Sequence, residues 1–361
     1  MKTILFLACL ALLVAPGTTA QARPLPESAP AARAAVAEAD SAVLQGDVAR
    51  ALRALSAVPA DAFRGPDRDQ RACMLGRFDR RAPPYLAAAV DDPLVRDVLA
   101  AYQTYWWRAL TAPVKRAELE RALSRELRAL LASADVETAG DDLDALEQPL
   151  SAALAQRGYH AVLGRTPPLR ELMLWRRQDE RAFEVDLPEG QQRVRVDLLD
   201  DFAALGWSAY GRCDYGSNGG WATAEKLFAV VPVYREGLDS EKFRVVFLGH
   251  EAQHFADQNR FPDLQPWELE YRAKLVELSM AETVSEKRLR GFMTAQSDDT
   301  DSPHTYANKR VVADLRTKLD ADPDAVPLTR LQSAAHELLL EDSARREAAA
   351  MSRPAPDAPH R

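Results

Sequence analysis

Cysteine, excess positive charge and long apolar runs are all scarce or missing in this sequence. Its three cysteines form no Cys-x-x-Cys pair and no ligand cluster, so we assign them no catalytic role. The formal net charge of −8 argues against a broad nucleic-acid surface, and we expect no nucleic-acid partner. After the first 22 residues no apolar stretch is long enough to cross a bilayer, so we expect no membrane span in the mature chain.

The first 22 residues have the pattern of a secretory signal peptide. Lys2 supplies the positive charge, residues 4–15 form a short apolar run, and small residues follow where a signal peptidase would cut. This segment predicts a secreted or periplasmic protein. In an oxidising compartment Cys73 and Cys213 could pair, although two separate buried thiols remain an equal alternative at this stage.

Apolar residues recur at helical spacing through residues 31–157, which predicts a helical N-terminal region. Within it, residues 31–59 read as two short helices around a turn at Gly46, similar to one tetratricopeptide-like hairpin. No second copy follows at that period, so a repeat array is not supported. An acidic cluster at 141–144 predicts the cap of a further helix. Such helices can offer a surface to a protein partner.

Strand-like alternation replaces the helical pattern after residue 158. The segments 181–187 and 193–198 alternate apolar and polar residues around a Pro-Glu-Gly turn, which predicts two paired strands. A third apolar segment, 227–234, also reads as a strand, and Pro232 places it at a sheet edge or on a bulge.

Helical periodicity returns near residue 240 and continues until the last residues, 351–361, whose composition predicts disorder. The fold class that follows is α+β and mostly helical, with a small sheet and a helical N-terminal region before it.

The pattern that carries chemistry is His250-Glu251-x-x-His254. On a helix, residues four apart lie one turn above each other, so both imidazoles can bind one ion. Glu251 lies about 100° round the helix, where its carboxylate can take a proton from a water on the metal. Chance gives this pattern in roughly one such chain in a hundred, and the uncharged residues around it favour a buried helix over two solvated histidines.

A catalytic zinc needs a third protein ligand and an open position. Residues 261–264 predict a turn, after which Pro266 begins a second helix that can return beside the first. Of its carboxylates we choose Glu270, because the small Ala273 one turn on lets the two helices approach. Glu268 is the next candidate, although at the helix start it can serve the dipole instead, and Glu277 is third.

Together these residues resemble the gluzincin group of zinc metallopeptidases, the thermolysin-like sort. The resemblance covers roughly residues 220–310 and implies a zincin-like domain, which we place at 158–350. It also implies Zn²⁺ as the cofactor, and a strand beside the active-site helix that pairs with an extended substrate, for which 227–234 is the candidate. Where the group often has an acidic residue that orients a histidine, this chain has Lys274, which puts either Glu270 or the expected histidine support in doubt.

The same resemblance implies a later histidine or tyrosine that stabilises the oxyanion. His304 and Tyr306 are the candidates, since both can donate hydrogen bonds to developing negative charge. The alternative is a plain helix start, in which Ser302 caps the helix, Pro303 takes its first position and His304 is merely exposed.

The function that these patterns predict is a zinc metallopeptidase with Glu251 as general base. Its partner would be a peptide or protein substrate, and a cell-wall peptide is one candidate. Two alternatives stay open: a non-catalytic scaffold that acts through its N-terminal helices, and a metallohydrolase or metal-storage protein that is not a peptidase. The intact Glu251 argues against the scaffold, which has no need of a base.

Overall fold

A computed structural model describes residues 27–80, 90–138, 140–216, 218–223 and 225–352. The predicted signal peptide at 1–22 and residues 353–361 of the predicted tail lie outside the described residues, so those predictions stay predictions. The described chain is α+β and mostly helical, with a small mixed sheet, as the sequence predicts. None of the described helices combines the length and the apolar character needed to cross a membrane.

Helices build the N-terminal region, as predicted. Asp47 caps α2 by accepting a hydrogen bond from the Arg50 backbone N–H at 2.9 Å, and Gly46 makes the preceding turn at φ 73°, so α1 and α2 form the predicted hairpin. Asp142 caps α6 in the same way, through the Ala145 N–H at 2.7 Å. The helices are α1 Pro30–Leu44, α2 Val48–Ser56, α3 Gly65–Phe78, α4 Pro93–Thr111, α5 Arg116–Ser133 and α6 Leu143–Ala155.

A long hairpin dominates the sheet. The predicted strand pair exists, but its strands extend well beyond the predicted segments, into residues whose burial no longer alternates. The strands are β1 His160–Val162, β2 Arg165–Thr166, β3 Leu169–Arg170, β4 Met173–Leu187, β5 Gly190–Leu205, β6 Gly220–Ala222 and β7 Leu227–Val230. The main sheet has the order β1-β4-β5-β7-β6, with β7 parallel to β5 and the other pairs antiparallel.

The predicted strand at 227–234 needs a correction. Strand β7 ends at Val230, and Pro232 lies in a 3₁₀ turn beyond it. The strand is also internal, because β6 pairs with one side and β5 with the other. Pro232 therefore removes no ladder hydrogen bond, and its presence says nothing about an edge. The edge on this side of the sheet is β6.

The C-terminal half is helical again. A short helix α7, Trp207–Gly211, precedes β6, and the remaining helices pack around α10. A π-helical segment, Arg244–Gly249, joins α8 and α9 without a break. The helices are α8 Glu241–Phe243, α9 His250–Arg260, α10 Pro266–Met280, α11 Ser285–Thr294, α12 Pro303–Leu319 and α13 Leu328–Met351.

Two large apolar cores divide the molecule. One contains the N-terminal helices together with Leu169, Leu172 and Leu174 and the α7 side chains Trp207 and Tyr210. The other lies between the far end of the β4–β5 hairpin, β7 and the helices from α8 onward. The chain thus returns to the N-terminal core after the boundary that we predict at residue 158. A disulfide between Cys73 and Cys213, 140 residues apart, ties α3 to this returning segment and decides the open question of pairing.

Candidate metal centre

The predicted motif lies on a buried helix. Phe243, Phe247 and Leu248 anchor the turns before α9 in the apolar core, and Ala252 continues that buried face. His250 and His254 follow on one face of α9, as the four-residue spacing requires. Their side chains are only 11% and 12% exposed, so they are not the solvated histidines of a surface helix.

Helix α10 returns beside α9 and brings the third residue. Ala273 is fully buried, in agreement with the small residue that we expect where the two helices pack. Glu268 closes the capping box of α10 by accepting a hydrogen bond from the Gln265 backbone N–H at 2.8 Å. Glu268 therefore serves the helix start, and Glu270 is the carboxylate that faces the histidines.

The three candidate ligands converge on one point. The Nε2 atoms of His250 and His254 are 3.1 Å apart. Glu270 places Oε2 3.6 Å from the first nitrogen and Oε1 3.4 Å from the second. A tetrahedral zinc with bonds of about 2.0–2.1 Å separates its ligand atoms by about 3.3–3.4 Å. The measured distances lie on either side of that value, so these residues fit one small metal ion.

Glu277 holds one histidine in the orientation that a metal needs. Its Oε1 lies 2.6 Å from Nδ1 of His250, which leaves Nε2 directed at the candidate site. The carboxylate is fully buried, and its other oxygen accepts a hydrogen bond from Arg288. The third candidate ligand of the sequence thus contacts a ligand instead of the metal position.

Two buried polar atoms of the centre have no hydrogen-bond partner among the described residues: Nδ1 of His254 and Oε2 of Glu270. Oε2 lies 3.1 Å from Lys274 Nζ and 2.7 Å from His304 Nδ1, but neither contact has the angles of a hydrogen bond. Unpaired buried polar atoms are costly, and native proteins rarely keep them. A carboxylate oxygen that keeps a free lone pair beside two imidazoles is suited to a cation.

The charges inside the centre perturb one another. Burial alone would lower the pKa of His250, but the nearby carboxylates of Glu270 and Glu277 outweigh it and raise that pKa to about 9. Burial would raise the pKa of Glu270, yet contacts with the histidines hold it well below its usual range. The cluster therefore strongly favours an ionised Glu270, the form that binds metal.

Lys274 departs from the gluzincin pattern, and its side chain is buried beside Glu270. Its side chain is 5% exposed and its ammonium lies against Glu270 and over the ring of Phe292. The histidine support that this position often provides comes here from Glu277, one turn further along α10. Glu270 thus faces both histidines although residue 274 is a lysine.

The remaining predicted residues lie in different surroundings. His304, at the start of α12, points at Glu270 and is 71% exposed, so it stands on the solvent side of the centre. Ser302 precedes Pro303 at this helix start but makes no side-chain cap. The ring of Tyr306 packs edge-on against Trp267 at a centroid distance of 5.0 Å, and its predicted oxyanion role stays a prediction.

Glu251 is half-buried on the flank of α9, next to a residue that sequence reasoning missed. Tyr234 packs against Phe247, one turn before Glu251, and donates its hydroxyl to the Gly219 carbonyl at 2.8 Å. Burial raises the pKa of Tyr234, and the negative charge of Glu251 adds to that rise. No sequence signal marks this tyrosine, since only the tertiary fold brings it to α9.

No protein-family model, curated protein or solved structure matches this chain. The function is therefore inferred from the residues of the centre and from their geometry.

Proposed function

We propose that this protein is a secreted or periplasmic zinc metallopeptidase with a zincin-like catalytic domain. The observation that carries the proposal is the buried convergence of His250, His254 and Glu270, with Glu251 on the same helix. Three protein ligands leave a fourth position for water or substrate, which is the arrangement of catalytic zinc sites and not of closed structural ones. The exposed side, at His304, provides the opening.

Zinc, when bound, would supply a Lewis acid that acidifies water and polarises a carbonyl. The chain's own residues would do the rest. Glu251 accepts the proton of the attacking water and delivers it to the leaving amine. His304, next to Glu270, is placed to donate a hydrogen bond to the oxyanion. Glu277 keeps His250 turned toward the ion throughout.

A peptide substrate is favoured over other amides because a sheet edge lies beside Phe247, in the turn before α9. The Tyr234 hydroxyl connects the flank of Glu251 to Gly219, which leads directly into the short edge strand β6. An extended peptide can add to such an edge through backbone hydrogen bonds. This edge takes the place of the segment 227–234 that the sequence suggests.

The test is a paired substitution. Glu251→Gln keeps the size and shape of the side chain, but the amide cannot accept the proton. Turnover of a peptide library by the zinc-loaded protein should therefore fall by about 10²–10⁴-fold, with zinc retained. Glu286→Gln, an exposed carboxylate on α11, is the matched control and should keep full activity. Substantial peptide cleavage by Glu251→Gln would show that another group is the base.

A further inference from the structure

A second polar cavity lies away from the metal centre, where the N-terminal core meets β5 and α7. It has a volume of about 230 Å³. Arg77, Tyr210 and Asp214 supply its polar wall, and Trp106 and Phe202 supply apolar surface. We call it the Arg77 pocket.

The donors of the Arg77 pocket are incompletely used. Arg77 is 9% exposed, and its Nη1 donates to the Tyr210 backbone carbonyl, while Nε has no partner. The buried hydroxyl of Tyr210 has no partner either. In the described part of the chain no carboxylate lies within ion-pair distance of Arg77. Two unpaired donors in one wall call for an acceptor, since leaving them desolvated is costly.

A larger cleft of about 810 Å³ adjoins the Arg77 pocket. Leu205 and Asp214 line both spaces, so the two are neighbours. The cleft is also lined by Tyr234, whose ring packs against Phe247, one turn before Glu251. Its walls come from both cores and carry both signs of charge; the charged residues are Arg68, Asp69, Asp214, Arg235, Glu236 and Lys242.

We propose that the Arg77 pocket binds the C-terminal carboxylate of a peptide that lies extended in this cleft. The planar guanidinium of Arg77 and the hydroxyl of Tyr210 suit a carboxylate. Asp214, at the junction, can accept an N–H from the last peptide unit. Its negative charge disfavours a phosphate dianion more strongly than a singly charged carboxylate. The proposal rests on the proposed function, since it assigns the substrate end that the peptidase would recognise.

The disulfide gives the Arg77 pocket a fixed wall. Cys213 immediately precedes Asp214 and is joined to Cys73 on α3, one turn before Arg77. Both residues of the pair adjoin pocket residues, so the bond holds Arg77 and Asp214 at a set separation. A preorganised pair of this kind loses less freedom when a ligand binds.

Calorimetry on the zinc-loaded Glu251→Gln protein tests the pocket without turnover. The probes are an N-acetylated alanine tetrapeptide with a free carboxylate and its carboxamide twin. The free acid should bind at least about tenfold more tightly, because the amide cannot pair with the guanidinium. Tyr210→Phe should remove several-fold of that preference. Tyr102→Phe, a buried tyrosine of the same core outside the pocket lining, should leave it unchanged.

Equal affinity for the two probes, no binding of either, or identical selectivity in the Tyr210→Phe and Tyr102→Phe proteins would overturn the assignment. Arg77→Gln is a weaker test because Arg77 also holds the Tyr210 carbonyl. The two proposals fail separately. Selective binding without any peptide cleavage by the Glu251-containing protein would contradict the proposed peptidase function and support the carboxylate site in the Arg77 pocket. Zinc-dependent cleavage of the free-acid and carboxamide peptides at equal efficiency would support the peptidase function and contradict the carboxylate site.

Discussion

Helix α10 carries two buried groups of charge, about 160° apart round its axis, and they use their hydrogen bonds differently. On one side Arg272 is fully buried, and each of its three nitrogens donates to a carboxylate, from Glu189, Asp257 and Asp342, at 2.7–2.9 Å. On the other side Glu270 meets the two histidines and keeps a buried oxygen without a hydrogen bond.

The difference separates a structural cluster from a binding one. The Arg272 cluster is closed, because its charges satisfy one another and nothing more is needed. It also ties α10 to α9 through Asp257, to the β4–β5 turn through Glu189, and to α13 through Asp342. The cluster around Glu270 is open, and a cation completes it. We infer that the closed cluster fixes the two helices so that the open one keeps its geometry.

Replacing Arg272, the centre of the closed cluster, should have the largest effect on stability. Arg272→Met removes the cation that three carboxylates share: Glu189 keeps Arg260 and Asp342 keeps Arg346, but Asp257 stays buried without an ion pair. The free energy of unfolding of the metal-free protein should therefore fall by about 3–5 kcal/mol. Urea titration with the disulfide intact measures it. Arg290→Met, whose exposed pair with Glu286 is worth little, should change stability by less than about 0.5 kcal/mol. Equal losses in the two variants would contradict a structural role for the Arg272 cluster.

Removing the charge of Glu270 from the open cluster should weaken metal binding without unfolding the protein. Glu270→Gln removes the anionic ligand, and zinc affinity should drop by more than about 100-fold, beyond the usual effect of a supporting residue. Competition with a chromophoric chelator gives the affinity. Glu268→Gln, on the same helix but engaged in the cap, should stay within a few-fold of the parent protein. If the two variants lose zinc equally, Glu270 is not a ligand.

Glu277→Gln should have a smaller effect on the same measurement. The amide can still accept a hydrogen bond from Nδ1 of His250, but it no longer carries the charge that strengthens the imidazole as a donor to the metal. Loss of such a partner typically weakens metal binding by about 10–100-fold. Zinc affinity should therefore lie between those of the Glu270→Gln and Glu268→Gln proteins. An affinity as low as that of Glu270→Gln would make Glu277 a ligand itself.

The closed cluster should also show a modest acid dependence. Burial tends to raise the pKa of Asp342, but hydrogen bonds and charge from Arg346 and Arg272 hold it below its ordinary 3.8. A carboxyl with a lowered folded-state pKa adds stability above pH 3.8, and that stability is lost as the pH falls through the lower value. The stability gap between the parent protein and Asp342→Asn should be constant at higher pH and narrow below about pH 4. A stability gap that widens on acidification would contradict a lowered pKa of Asp342 in the folded protein.

Residues close in sequence were the predictable part of this molecule. The four-residue spacing places His250 and His254 on one helix face whatever the rest of the chain does. Pro266 and the turn before it mark the start of α10, and the α1–α2 hairpin follows from Gly46 and Asp47. In these cases local backbone preferences and side-chain periodicity agree with the final packing.

Long-range partners were not predictable in the same way. Glu270 and Glu277 are seven residues apart and lie on one face of α10, so sequence alone cannot say which one reaches the metal position. The internal place of β7 depends on its parallel pairing with β5, which leaves no mark on the strand itself. Helix α3 lies within the region predicted to be helical, but its mostly polar residues give no apolar period that would mark it as a separate helix.

Zinc content is the most direct measure of the central claim. Elemental analysis of the purified protein should give about one zinc per chain, removed by a strong chelator and restored on addition of the ion. The His250→Ala, His254→Ala double variant should bind none, while the His160→Ala, His336→Ala double variant, with the same number of histidines removed, should keep its zinc. Stoichiometric zinc in the His250→Ala, His254→Ala protein would place the metal elsewhere and end this account.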